Sequence, residues 1–218
     1  MAVALTELII GDDPAAWAAA GFTLDGDHTT IGAVRIRFAP GDERGVLGWE
    51  LAGLDPSYDG ADIDGIPTSR ASADGTDEAD DVVHPNGAVA LDHVVVATPD
   101  LDRSIAALEA VGLEARRTRD AGRPDAPRRQ VFFWVGEPIL ELVGPPEPRG
   151  DRPATIWGLT CTVADLDVTA SHLGDRVGRV KDAVQPGRRI TTLRHAELGV
   201  SVPVAFMSPH VRPGDTDA

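Results

Sequence analysis

Leu91-Asp92-His93-Val94-Val95-Val96-Ala97-Thr98-Pro99-Asp100-Leu101-Asp102 is the stretch on which the fold turns. Its first seven residues are rich in β-branched side chains, as a buried strand requires. Thr98-Pro99-Asp100 then supplies a cap and a proline for a helix from about Leu101 to Ala110. Ile105, Leu108 and Val111 give that helix an apolar stripe, and Gly112 stops it. The pattern returns as Trp157-Gly158-Leu159-Thr160-Cys161-Thr162-Val163-Ala164-Asp165-Leu166-Asp167. A fainter copy opens the chain as Leu5-Thr6-Glu7-Leu8-Ile9-Ile10-Gly11-Asp12-Asp13-Pro14. Internal repetition fixes the unit of structure, so it is settled first.

Downstream of the second copy, the sequence predicts a short strand around Leu113 to Arg117 and a turn from Ala121 to Pro127. A strand from Gln130 to Val135, a tight turn at Gly136-Glu137-Pro138 and a last strand from Ile139 to Val143 complete a βαβββ unit. The third copy repeats the plan with a strand at Ile156 to Val163, a helix near Leu166 to Leu173, and strands at Val177–Asp182, Ile190–Arg194 and Val202–Met207. The first copy runs from Leu5 to Leu54, with a short helix from Pro14 to Ala20, a third strand at Ala33–Phe38 and a fourth at Val46–Leu51. The fold class expected is α+β, with three βαβββ units at 1–54, 89–146 and 153–210, at least one pair curving into a cup. Residues 55–88, rich in Asp, Gly, Ser and Pro, read as a linker, and 211–218 as a frayed tail.

Bulk properties narrow the function classes. The 218 residues suffice for a sizeable core. A formal charge of −15 argues against nucleic acid, which needs a basic stripe. No apolar run approaches a membrane span and the opening Met1-Ala2-Val3-Ala4 shows no Lys/Arg-headed signal peptide, so a cytoplasmic location is expected. The single Cys161 excludes an internal disulfide, and its apolar surroundings suggest a small buried hydrophobe.

Repeated βαβββ units with a His on the first strand and a Glu on the last resemble the vicinal oxygen chelate superfamily, which includes glyoxalase I, bleomycin-resistance proteins and extradiol dioxygenases. Leu91-Asp92-His93-Val94-Val95-Val96, the Pro99-Asp100-Leu101-Asp102 helix start and Ile139-Leu140-Glu141-Leu142-Val143 carry the resemblance. It implies that the first and fourth strands of a unit lie side by side, so that His93 and Glu141 face one concave surface. Two facing units would then form a cup around a divalent metal such as Zn, Ni, Fe or Mn, with open positions for a substrate's paired oxygens.

The third copy offers Gly158 where the second has His93, and Ala205 near the place of Glu141; neither can hold a metal. The first copy offers Glu7 against His93 and Glu50 against Glu141. Two pairings stay open. If the first and second copies share a cup, Glu7, Glu50, His93 and Glu141 converge; if the second and third share it, only His93 and Glu141 remain. The short 144–152 connection favours the latter, the ligand number the former.

The resemblance implies a glyoxalase-like, metal-dependent lyase or isomerase acting on a small molecule with vicinal oxygens, His93 and Glu141 being metal ligands and Glu50 or Glu7 the catalytic carboxylate. The alternative is a metal-free protein that sequesters a small molecule, as bleomycin-resistance members do. Three half-cups would leave one unpaired, which suggests a homodimer. Plainer roles exist for each residue: His93 as a hydrogen-bonded strand histidine, Glu141 in a salt bridge to Arg129, Glu7 and Glu50 on the polar face of an edge strand. His84 would lie in a turn, and His195 and Glu197 in solvent. Phe132 and Trp134 share one strand face and Phe133 takes the other, so part of this cluster should line the cup.

Overall fold

Strands alternate with three short helices along the chain, of which the computed structural model describes residues 2–55, 57–71 and 82–210. The first half contains β1 (Ala4–Ile10), α1 (Pro14–Ala19), β2 (His28–Ile31), β3 (Val34–Phe38), β4 (Val46–Ala52), β5 (Asp62–Ile63) and β6 (Ile66–Arg70). The second begins with β7 (Ala88–Ala97), α2 (Leu101–Ala110), β8 (Ala115–Arg123), β9 (Ala126–Trp134) and β10 (Ile139–Gly144). It closes with β11 (Thr155–Val163), α3 (Leu166–Leu173), β12 (Lys181–Asp182), β13 (Arg189–Thr192) and β14 (Val204–Met207). The helices start where the aspartates predict. Asp100 accepts from the Arg103 amide at the head of α2, and Asp165 accepts from the amides of Asp167 and Val168 at the head of α3.

Two sheets result, ordered β2-β3-β1-β4-β6-β5 and β12-β13-β14-β11-β7-β10-β9-β8. In the larger sheet, β10 runs parallel to β7 and β14 runs parallel to β11, while β7 and β11 meet antiparallel at the centre. The second and third copies therefore share one curved sheet, the arrangement favoured by the short connection between them. Leu91, Val94 and Val96 of β7, Val131 and Phe133 of β9, and Leu140 and Leu142 of β10 point into the core. Trp17 packs on Phe22 and Phe38 with ring centroids 5.2 and 5.4 Å apart, and Phe22 stacks on Phe206 at 6.2 Å. That aromatic chain joins the helix of the first sheet to β14 of the second, so both sheets share one core.

The first sheet corrects the division into three copies. A fourth strand should lie parallel to the first, as β10 does to β7, but Val46–Ala52 is antiparallel to β1. The parallel neighbour of β1 is β3. β4 instead takes the place of β11 and has its own parallel neighbour in β6. The smaller sheet is thus a reduced version of the larger: β2-β3-β1 is one arm and β4-β6-β5 the other, the second lacking a helix. Two of these strands fall inside the span read as a linker; its residues 72–81, like the tail at 211–218, lie outside the described residues. With each arm already paired, the unpaired unit behind the expected homodimer does not exist. No helix among the described residues is long and apolar enough to cross a membrane.

Candidate functional site

An irregularity in β7 builds the site. His93 pairs with Thr160 and Leu91 with Cys161, so Asp92 is an extra residue on β7 opposite the Thr160–Cys161 step. Such a bulge turns two successive side chains to the same face, where regular alternation would separate them. Leu91 and Val94 are buried, and Asp92 and His93 between them both reach the concave side. Asp92 Oδ1 then lies 2.8 Å from His93 Nδ1.

Asp92 is itself held on two other sides. Arg188 Nη2 lies 2.6 Å from Asp92 Oδ2, and the Thr162 hydroxyl donates to the same oxygen at 2.8 Å. The side chains of Arg188 and Asp92 are 1% and 6% exposed, a buried ion pair. Burial pushes the Asp92 carboxyl up. The hydrogen bonds from His93 and Arg188, the guanidinium charge and the Thr162 hydroxyl more than offset it and hold the group well below the usual carboxylate range. Ionised Asp92 makes His93 Nδ1 the donor, so in the neutral ring the lone pair sits on Nε2, facing the cavity.

Glu141 stands on β10, with Val95 as its register partner on β7 and Phe132 on β9. Its Oε2 is 3.8 Å from His93 Nε2, and its Oε1 accepts from the Gln130 side-chain amide. Arg119 Nε donates to Gln130 Oε1 at 2.8 Å, fixing which end of the amide faces Glu141. The expected Arg129 partner is absent because Arg129 lies 2.9 Å from Asp120 instead. Cavities of about 920 and 580 Å³ open on either side of His93 and Glu141, and both reach Gln130. Phe132 and Trp134 line the smaller one, as expected.

The donor set does not fit a tightly resident metal ion. His93 Nε2 and Glu141 are two donors of the right kind, but catalytic sites of this kind use three protein ligands. The register puts Gly158 and Ala205 where the other arm's ligands would be, as the sequence indicates. Among the described residues no group of three His, Cys, Asp or Glu side chains could hold an ion.

Glu7 and Glu50 are not brought to this site. They are register partners across β1 and β4, on the smaller sheet. Glu7 forms an ion pair with Arg37 at 2.8 Å, and Glu50 accepts from the Thr6 hydroxyl at 3.2 Å. Through the shared register, Glu7 holds the place of His93, Arg37 that of Glu141, and Thr6 that of Asp92. The ion pair replaces the His–Glu pair. His84 is a structural residue: it is buried, its Nδ1 accepts from the Thr23 amide and its Nε2 donates to the Thr30 carbonyl. His195 lies 2.9 Å from the Val200 carbonyl beside an exposed Glu197.

Three site residues are not singled out by the sequence reading: Asp92, Arg188 and Gln130, the last on the face that alternation assigns to Phe132 and Trp134. Asp92 is hidden by the bulge, and Arg188 comes from the far arm. The signal available for Asp92 was the matching Leu-Thr-Glu at 5–7, where another polar pair follows the same leucine.

Residues 90–195 match the family model described as Glyoxalase/Bleomycin resistance protein/Dioxygenase superfamily. No curated protein sequence matches the chain. Among solved structures, a variant of 4-hydroxymandelate synthase from Streptomyces coelicolor is similar at 14% identity and TM-score 0.61, covering 98% of this chain and 94% of that one. A catechol 2,3-dioxygenase is similar at 14% identity and TM-score 0.58, covering 99% and 94%. Methylmalonyl-CoA epimerase from Mycobacterium tuberculosis shares 22% identity at TM-score 0.45, over 57% of this chain and 91% of that one. The two longer matches show that the chain shares its overall fold with those proteins over nearly its full length.

Proposed function

Residues 90–195 belong to the Glyoxalase/Bleomycin resistance protein/Dioxygenase superfamily, and from that premise we propose that the chain is an enzyme which moves a proton on a small organic molecule, as an isomerase or lyase does. The supporting observation is the Asp92–His93 pair, which aims Nε2 into the cavity with Glu141 3.8 Å away. His93 Nε2 takes a proton from a carbon beside a carbonyl and returns it to the same or a neighbouring atom. The charge gained by the ring is met by Glu141 on one side and Asp92 on the other. Gln130 fixes the carboxylate of Glu141, and Arg188 fixes that of Asp92, so neither has to reorient during proton transfer.

The metal-dependent form of this activity has less support, because His93 and Glu141 lack a third ligand. A second reading, sequestration of a small molecule without turnover, is supported by the same loss at Gly158 and Ala205. Deuterium uptake at the carbon next to the carbonyl, followed by proton NMR over a panel of 2-oxo and 2-methyl organic acids in D2O, separates the readings. Uptake abolished in His93→Ala and unchanged by chelators supports the proton-transfer enzyme. Uptake in no member of the panel, with tight binding of one, leaves sequestration. Activity that tracks one equivalent of divalent metal by plasma mass spectrometry overturns the metal-independent form.

A further inference from the structure

The charge of the cup runs against that of the chain. Overall there are 20 Lys and Arg against 35 Asp and Glu. Around the two cavities the balance reverses: six arginines and Lys181 line them, against Glu141 and Asp182. A concave, partly desolvated wall of one sign focuses its field and concentrates the opposite ion. The two sides differ in kind. The larger cavity carries Arg128, Arg149 and Arg152 with an exposed Trp157, and Glu141 is its sole acid. Among the described residues, Arg149 and Arg152 have no carboxylate partner. In the smaller cavity Phe132, Trp134, Ile190 and Met207 form an apolar wall. Two of that cavity's cations are already engaged: Arg116 lies 3.7 Å from Glu114, and Arg119 holds Gln130.

Resting on the proton-transfer reading of the same site, we infer that the substrate is an amphipathic organic acid. Its acidic group lies by Arg128, Arg149 and Arg152, its reacting carbon at His93 and Glu141, and its apolar remainder along Phe132 and Trp134. Unpaired arginines on a cavity wall suit a carboxylate or phosphate. An exposed tryptophan at each side supplies flat contact area for the organic part; these two are 58% and 55% exposed, while Trp17 and Trp49 are fully buried.

That split makes tryptophan fluorescence a selective reporter of the cup. Relative to their quenching of free N-acetyltryptophanamide, iodide should be at least about threefold more effective than caesium at low ionic strength, despite the net charge of −15, and this normalised difference should shrink toward none in 1 M salt. As a ligand probe, 8-anilinonaphthalene-1-sulfonate is compared with N-phenyl-1-naphthylamine, the same ring system without the sulfonate. The anion should bind at least about tenfold more tightly, and Arg149→Ala/Arg152→Ala should remove most of that preference while leaving the uncharged probe unaffected. Equal affinity for the two probes, an unchanged preference in the double variant, or a normalised caesium quenching as strong as iodide's overturns the inference. The probe comparison reads charge alone and needs no turnover, so it is made on the wild type and the arginine variant whatever deuterium uptake shows. A failure of the proton-transfer reading would therefore show in deuterium uptake and leave the probe preference intact.

Discussion

Arg188→Met tests the frame that holds the site. Arg188 Nη2 lies 2.6 Å from Asp92, Nε donates to the Ser208 carbonyl at 2.7 Å, and Nη1 donates to Gln185 Oε1 at 2.7 Å. Methionine fills much of the same volume but leaves the Asp92 carboxylate buried without its cation. Removing one partner of a buried ion pair costs about 3–5 kcal/mol. Asp92 keeps its bonds from Thr162 and His93, so the low end, about 3 kcal/mol, is expected. For a chain of this length each kcal/mol lowers Tm by about 2–4 °C, giving a fall of about 6–12 °C by calorimetry. Asp92→Asn/Arg188→Met removes both charges and should recover most of the loss, with a coupling of at least about 2 kcal/mol in the double-mutant cycle. Acid adds a second readout. The folded-state pKa of Asp92 is depressed, so its contribution is present above the unfolded value of about 3.9 and is lost as pH falls from there through the folded value. The wild type should lose this part of its stability below about pH 4, and the double variant should have none of it to lose. A single variant destabilised by less than about 1 kcal/mol, or additive effects in the cycle, would refute the reasoning.

Other outcomes follow from the same geometry. Glu7→Gln and Glu50→Gln should leave deuterium uptake within about twofold of wild type, because both residues belong to the other sheet; Glu141→Gln should lower it by about 10²-fold or more, measured in the same NMR assay. Gly158→His/Ala205→Glu would supply the missing arm of a chelate. A Cβ at position 158 meets the Pro203 carbonyl at 3.2 Å, so the loop must shift slightly, and the variant should retain about one Zn²⁺ after gel filtration where the wild type retains none. Burial pushes the Cys161 thiol up to about 12, with the Asp92 charge adding to it, so at pH 8 the thiol stays protonated. Labelling by a disulfide reagent should be absent in the native protein and rapid in guanidinium; rapid native labelling would mean that the β7–β11 seam opens.

Much of the larger sheet was legible in the sequence. The β-branched run at 91–97 and the aspartate caps are local signals, and the structure keeps both. The pairing of copies was settled only by strand direction, which sequence does not carry: Val46–Leu51 has the composition of a fourth strand whichever way it runs. β5 and β6 were lost in the apparent linker because they are short, and β6 exposes Pro67, Ser69 and Arg70 in its five residues. At the site, His93 and Glu141 stood out as polar groups in apolar strands. Asp92 did not, since period-two alternation assigns it to the opposite face, and a bulge leaves no compositional mark.

The smaller sheet keeps that bulge at Thr6, in the same register, without the His–Glu chemistry. The kink therefore belongs to the architecture, and the reactive groups are passengers on it. Any sequence with this backbone inherits a place where two neighbouring side chains emerge side by side, already at a fixed mutual distance. A duplicated unit can carry an ion pair there, as Glu7 does with Arg37, and remain folded while its counterpart is free to acquire or discard a reaction. Copying Asp92, His93 and Glu141 there would take Thr6→Asp, Glu7→His and Arg37→Glu, each at a position the backbone has already prepared, with counterparts of Arg188 and Gln130 still needed to hold the two carboxylates.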